Sequence, residues 1–183
     1  MINDLDKTLQ KMLASEIPSL SEAHIYFDTP DDKFAPSTPA IDLFLYDVRE
    51  NRELRSNEWQ VDRHNGAAVK TPPFVRVDCS YLITAWAGDI ASEHALLGSV
   101  IRALLRHPII EASLLQGALA SQPLPPPTTA LQPGKLQSVS EFWQALGDKP
   151  RTALYYTVTI AIGLYDAVQE PVVIEKVVNL GQL

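Results

Sequence analysis

Two stretches limit the fold more than any others. Residues 74–87, FVRVDCSYLITAWA, alternate Val75, Val77, Cys79, Tyr81, Ile83 and Ala85 with Arg76, Asp78, Ser80 and Thr84. Residues 152–166, TALYYTVTIAIGLYD, place Leu154, Tyr156, Val158, Ile160, Ile162 and Leu164 in the same two-residue period. Successive side chains of a strand point to opposite faces, so each apolar set lines one face of a sheet. Residues 40–48 predict a third strand. There Ile41, Leu43 and Leu45 share one face, and Phe44, Tyr46 and Val48 share the other with Asp42. Large apolar groups on both sides predict that this strand is covered on both.

The cover comes from segments with helical spacing. In residues 3–17, Leu5, Leu9, Met12, Leu13 and Ile17 form one stripe, with Asn3 or Asp4 as N-cap and Pro18 as the stop. In SEHALLGSVIRALLRHP (92–108), Leu96, Leu97, Val100, Ile101, Leu104 and Leu105 form another, with Ser92 as N-cap and Pro108 as the stop. Ser138 and Glu141 have capping-box spacing before FWQALG, a short helix ending at Gly147. IIEASLLQGAL reads as one more short helix, and AHIYFDTP (23–30) as a short strand with Ile25 and Phe27 on one face. Residues 49–73 have no clean period and read as a long excursion. SQPLPPPTTALQPGK (121–135) reads as an extended surface loop, and VVIEKVVNL (172–180) as a last strand. Strands and helices without βαβ regularity predict an α+β fold. The expectation is a mainly antiparallel sheet packed by helices on one face. It forms a single domain, 1–183, with a long Pro-rich loop and residues 172–183 as a C-terminal strand-like arm.

Composition narrows the function. The chain has 183 residues, 46% of them hydrophobic, enough for one core. A net charge of −7 argues against a nucleic-acid partner, which needs concentrated Lys and Arg. No apolar run nears the roughly 18 residues of a membrane span. MINDLDKTLQKML has no basic segment followed by an apolar one, so synthesis in the cytoplasm without a signal peptide is expected. The single cysteine, Cys79, is expected to be a buried small hydrophobe. His24, His64, His94 and His107 are scattered, without metal-ligand spacing. There is no G-x-S-x-G, P-loop or G-x-G-x-x-G. Glu93 and His94 read as solvated first-turn residues, and Asp42 and Asp78 as strand carboxylates facing solvent or a neighbour. No cofactor, no metal and no catalytic residue is expected.

One stretch stands apart. YDVRENRELRS (46–56) follows the apolar strand without a turn signal, and six of the nine residues from Asp47 to Arg55 are charged, with alternating sign. A solvated face is one reading. The other is a protein–protein contact, because the cations are all arginine, whose planar fork pairs with carboxylates. The candidate interface residues are Arg49, Glu50, Arg52, Glu53 and Arg55. The segment PVVIEKVVNL adds Ile174 and Val178; it either closes the subunit's own sheet or joins the sheet edge of a neighbour.

Taken together, MINDLDKTLQKML, FDTP (27–30), LFLYDVRENRELRS (43–56), SYLITAWA (80–87), EHALLGSVIRALLRHP (93–108) and FWQALG (142–147) resemble one family. It is the N-terminal domain of the cap, or tail-terminator, proteins of extracellular contractile injection systems of the virulence-cassette and antifeeding-prophage type. The resemblance implies a structural cap: a self-associated ring, expected to be hexameric, that ends the inner tube and anchors the last sheath layer. The implied partners are further copies of the chain, the inner tube protein and the sheath protein, within a particle that acts outside the cell. The family brings no catalytic residues and no cofactor. In such a ring, mixed-sign charge can pair head to tail between unlike patches of successive subunits. The competing readings are a small ligand-binding or enzymatic domain with its site between sheet and helix, and a baseplate or tube adaptor of the same particle.

Overall fold

The two long alternating stretches become neighbouring strands. The computed structural model describes residues 1–31, 33–64, 67–132, 139–147 and 150–171. Its main sheet contains β1 (Ile25–Tyr26), β2 (Ala40–Glu50), β5 (Val75–Trp86), β6 (Thr128–Ala130) and β7 (Ala153–Ile162), in the order β1-β2-β5-β7-β6. β1 runs parallel to β2; the β2–β5 and β6–β7 pairs are antiparallel. The predicted half-burial of β5 gives way to full burial from Cys79 to Trp86, because β5 is a central strand covered on both faces. Its polar positions are satisfied inside the protein. The Ser80 and Thr157 hydroxyls lie 3.1 Å apart, and the Trp86 indole N–H donates to Thr84 Oγ1 at 3.0 Å. The Thr159 hydroxyl donates to Asp78 Oδ1 at 2.6 Å.

α1 (Ile2–Glu16) buries Leu5, Leu9, Met12 and Leu13, as its stripe predicts. It is tied to the sheet by Tyr81, whose hydroxyl donates to Asp6 Oδ1 at 2.9 Å. Asn3 and Asp4 lie inside the helix and do not cap it: the N-cap is Met1. α2 (Ile90–Arg106) also starts earlier than expected. Asp89 is the cap, accepting from the Ser92 backbone N–H at 2.9 Å and from the Ser92 hydroxyl at 2.7 Å, so Ser92 donates where it was expected to accept. Leu96, Leu97, Val100 and Leu104 are buried, whereas Leu105 points outward. Arg106 and His107 reach back to Glu16 of α1, at 2.9 and 3.3 Å.

α3 (Val139–Leu146) covers the opposite side of the sheet. Its Phe142 ring lies 6.0 Å from Phe44, which points away from Leu43, and Trp143 is fully buried. Gly147, with φ of 76°, ends this helix, a conformation that favours glycine. The expected capping residue Ser138 lies outside the described residues. Nearby, the Arg151 guanidinium stacks 3.8 Å over the Trp86 ring and reaches Glu93 at 3.3 Å.

Three other expectations change. The segment after α2 is not a helix: Ile109 bridges to Pro127, and a 3-10 turn spans Gly117–Ser121. This turn docks on α1, where Thr8 Oγ1 accepts from the Gln116 N–H at 3.0 Å. The Pro-rich stretch is not only a loop, since it holds β6 and is laced to β7. Gln122 accepts from the Ala161 N–H at 2.6 Å and donates to the Ala161 carbonyl at 2.7 Å. The strand at 23–30 shrinks to two residues, preceded by a 3-10 turn at Glu22–His24.

The elements above belong to one compact unit, Met1–Glu50 with Val77–Ala161; a second comprises Asn51–Arg76 with Ile162–Leu183. The second unit holds a small antiparallel sheet of β3 (Gln60–His64), β4 (Ala67–Thr71) and β8 (Val168–Pro171), in the order β3-β4-β8. This sheet occupies much of the excursion that showed no period.

Candidate assembly interface

The charged stretch begins where β2 leaves the core. Ala40 to Leu43 are buried, Phe44 to Asp47 are half-buried, and Val48 to Glu50 are exposed. A register shift between Leu45 and Asp47 marks a bulge at the same place, a feature that bends a strand and raises its twist. The strand therefore continues as backbone, paired through Arg49–Asp78 and Glu50–Val77, after its cover has ended. Arg49 and Asp47 are two residues apart and share one strand face. The arginine fork grips the carboxylate in two places, Nε to Oδ2 at 2.5 Å and Nη2 to Oδ1 at 2.7 Å. This pairing raises the guanidinium pKa further and fixes the direction of the side chain.

In the second unit the chain turns. The Asn51 N–H donates to the Arg76 carbonyl at 2.8 Å, and Asn51 Oδ1 accepts from the Leu54 N–H at 3.1 Å. That Asx turn presents Arg52 and Glu53 to solvent. Every residue from Arg52 to Arg63 is exposed. All five charged candidates are therefore surface residues, with Arg49 and Glu50 on the first unit and Arg52, Glu53 and Arg55 on the second. Ile174 and Val178 lie outside the described residues.

The expected charge run continues into apolar surface that the sequence reading did not single out. Trp59, Val61 and Val168 are 53%, 42% and 48% exposed. The register places Val61 opposite Lys70 and Lys70 opposite Val168, so the three share one face of the small sheet. With Trp59 they line a cavity of about 370 Å³. The signal was present as Trp59 and Val61 at strand spacing directly after the charges.

Several groups that could carry chemistry sit in structural surroundings. Burial pushes the Cys79 thiol up to about 11, which removes its nucleophilic form at neutral pH. Glu93 pairs with Arg151, and His107 with Glu16. Asp42 is fully buried and faces a neighbour: Oδ1 accepts from the Asp28 N–H at 2.9 Å. Burial raises its carboxyl to about 7. Among the described residues, no three His, Cys, Asp or Glu side chains gather as metal ligands, and no helix is long and apolar enough to cross a membrane.

The model of the family described as the Pvc16 N-terminal domain matches residues 4–175. Two solved structures resemble the whole chain. One is the sheath/tube terminator, in its extended state, of an extracellular contractile injection system, PVC. It shows 27% identity and a TM-score of 0.75, over 100% of this chain and 64% of that one. The other is the tube-terminating cap of the anti-feeding prophage, with 28% identity and a TM-score of 0.66, over 100% of this chain and 61% of that one. The chain thus spans less than two thirds of the length of either protein. No curated protein matches it.

Proposed function

The chain belongs to the Pvc16 N-terminal domain family, and on that premise we propose that it is a terminator cap of a contractile injection particle. Copies of it form a ring, expected to be a hexamer, on the last ring of the inner tube; the ring ends tube growth and anchors the last sheath layer. The observation that carries this reading is the likeness to two such terminators over the full length of the chain. The role is mechanical, and no reaction is assigned to any residue. The whole chain, 1–183, acts as one cap domain.

The mechanism follows from how a polymer stops. A tube elongates because each added ring displays the surface that the next ring binds. A subunit that binds this surface on one side and offers no copy of it on the other ends the series. The cap must also hold its place while the sheath is loaded, which calls for a stiff body. The buried central strand β5, with the Ser80–Thr157 hydroxyl pair and the Thr159 hydroxyl on Asp78 joining it to β7, supplies one. The charged stretch from Arg49 to Arg55 then serves ring contacts, where charge pattern sets register and partner choice more than affinity.

Purified tubes provide the test. Gold-labelled protein mixed with isolated inner tubes should decorate one end of each tube, and tubes so treated should no longer elongate when tube protein is added. Labelling along the tube wall, or elongation at an unchanged rate, would refute the proposal.

A further inference from the structure

The two most exposed large apolar side chains among the described residues are Tyr165 and Ile90, at 75% and 70%. They occupy opposite kinds of surface. Tyr165 stands beside Leu164, which is also exposed, in residues 163–167, the connection from β7 to β8. The base of this connection is packed: a carbon added at Gly163 would stand 3.3 Å from the Phe74 ring. Apolar side chains scattered singly over a surface are ordinary, whereas a leucine and a tyrosine side by side in one short loop mark a contact. Tyrosine is also among the residues that carry most of the energy of protein contacts.

Ile90 stands instead on the rim of a cavity of about 320 Å³ in the first unit. Ile90, Leu97 and Pro150 give it apolar walls, and Glu93, His94, Arg151 and Thr152 give it polar ones. The polar side is braced, because the Arg151 guanidinium lies 3.8 Å over the Trp86 ring and reaches Glu93 at 3.3 Å. The volume is ample for one tyrosine side chain. The apolar walls suit its ring, and Glu93 and Thr152 offer acceptors for its hydroxyl, which a buried tyrosine needs. Asp166 follows Tyr165 in the chain. The cavity meets it with Arg151 and with His94 in the N-terminal part of α2, the positive end of the helix. Shape, polarity and charge of the loop and the cavity therefore correspond.

We infer that the Leu164–Tyr165 tip of one copy inserts into the Ile90–Arg151 cavity of a second copy, with Asp166 against Arg151 and His94. The tip belongs to the second compact unit and the cavity to the first. The two patches are unlike, so the contact is head to tail, the type that closes into a ring. One tyrosine buries roughly 150–250 Å², well short of the roughly 800 Å² per partner in a standard interface. The tip is thus an anchor that sets register within a larger contact. The inference rests on the ring reading above for the neighbouring copy.

Full-length variants test it. Leu164→Ser/Tyr165→Ser removes the anchor. Ile90→Asp/Thr152→Trp fills the cavity and repels Asp166. All four positions are exposed, so both variants should keep the melting temperature of the parent. Light scattering after size-exclusion chromatography should show concentration-dependent association of the parent chain, weakened at least about tenfold in each variant. A second measurement uses single cysteines, since a disulfide forms only where two Cα atoms come within about 7 Å. A mixture of the Leu164→Cys and Thr152→Cys variants should oxidise to linked pairs at least about tenfold faster than either alone. The native Cys79 is buried and takes no part. A monomeric parent, unchanged association of either double variant, or no excess of mixed pairs would overturn the inference. A chain carrying both cysteines that closes a disulfide within itself would overturn it too, since the tip would then fill its own cavity. A chain that fails these tests and still decorates tube ends loses this contact alone, which separates the two claims.

Discussion

Asp42→Asn should convert a pH-sensitive fold into a less sensitive one. The carboxyl sits in β2 with Oδ1 held by the Asp28 N–H, and among the described residues Oδ2 has no partner. Burial, and then the neighbouring Asp28 charge, raise its titration from the ordinary 3.8 to about 7. In the unfolded chain it ionises near 4. Between these values the folded state holds a proton that the unfolded state has released, so stability falls as pH rises from 4 to 7 and levels off above 7. Three pH units at about 1.4 kcal/mol each set an upper scale of about 4 kcal/mol. Between pH 4.5 and 8 the expected loss is about 3 kcal/mol. The amide keeps the acceptor for Asp28 and does not ionise. Its NH₂ group lacks an acceptor, which costs about 1–3 kcal/mol at every pH. Asp6, which burial also raises, and Asp4, Glu16 and Asp89, which are lowered by their hydrogen-bond partners, act alike in both proteins. Urea unfolding followed by tryptophan fluorescence should therefore show the variant gaining about 3 kcal/mol on the parent between pH 4.5 and 8. Parallel stability curves would refute the buried-carboxyl argument.

Reversing the charge at Arg49, Arg52 and Arg55 should leave the melting temperature nearly unchanged and weaken self-association in sedimentation; loss of the fold in circular dichroism would show these arginines to be core partners. Leu104→Ala should cost about 2–5 kcal/mol by chemical denaturation, whereas Leu105→Ala should stay within about 0.5 kcal/mol, since the two adjacent leucines are 1% and 58% exposed. Gly117→Ala should destabilise more than an ordinary surface change, because φ is 53° and the added carbon would stand 2.3 Å from Asp4 Oδ1; a melting temperature equal to that of the parent would contradict this.

The long elements were legible because burial imposes a period. β5 and β7 alternate, and α1 and α2 carry stripes, since each meets the core with one repeated face. What escaped had a different cause in each case. The β3–β4 hairpin has Val61 and Val69 but little apolar alternation, because Gln60 to Arg63 are exposed and Ala68 is the buried residue among those described; the dipeptide Asn65–Gly66 between the two segments was the available signal. Asp89 and Ser92 both suit a cap, and only the backbone direction at Asp89 decides between them. Asp42 shares the Phe44 face of a strand expected to be covered on both sides, but its polarity pointed to solvent or a neighbour and gave no sign of its full burial. The helical spacing after Pro108 yields to a left-handed Gly117 and to docking on Thr8 of α1, which no local pattern encodes. The charged candidates were visible as surface residues from composition. The apolar face beside them was less so, because Lys70 and Val168 join it only through strand register.

The central claim is that this chain ends tube growth, and the length of tubes made without it tests that most directly. Electron micrographs of particles from a strain carrying a deletion of this protein should show a broad distribution of tube lengths with a long tail, and sheaths that are missing or contracted. Restoring the protein should return a single narrow length. A narrow, unchanged length distribution with intact extended sheaths in the deletion strain would contradict the account.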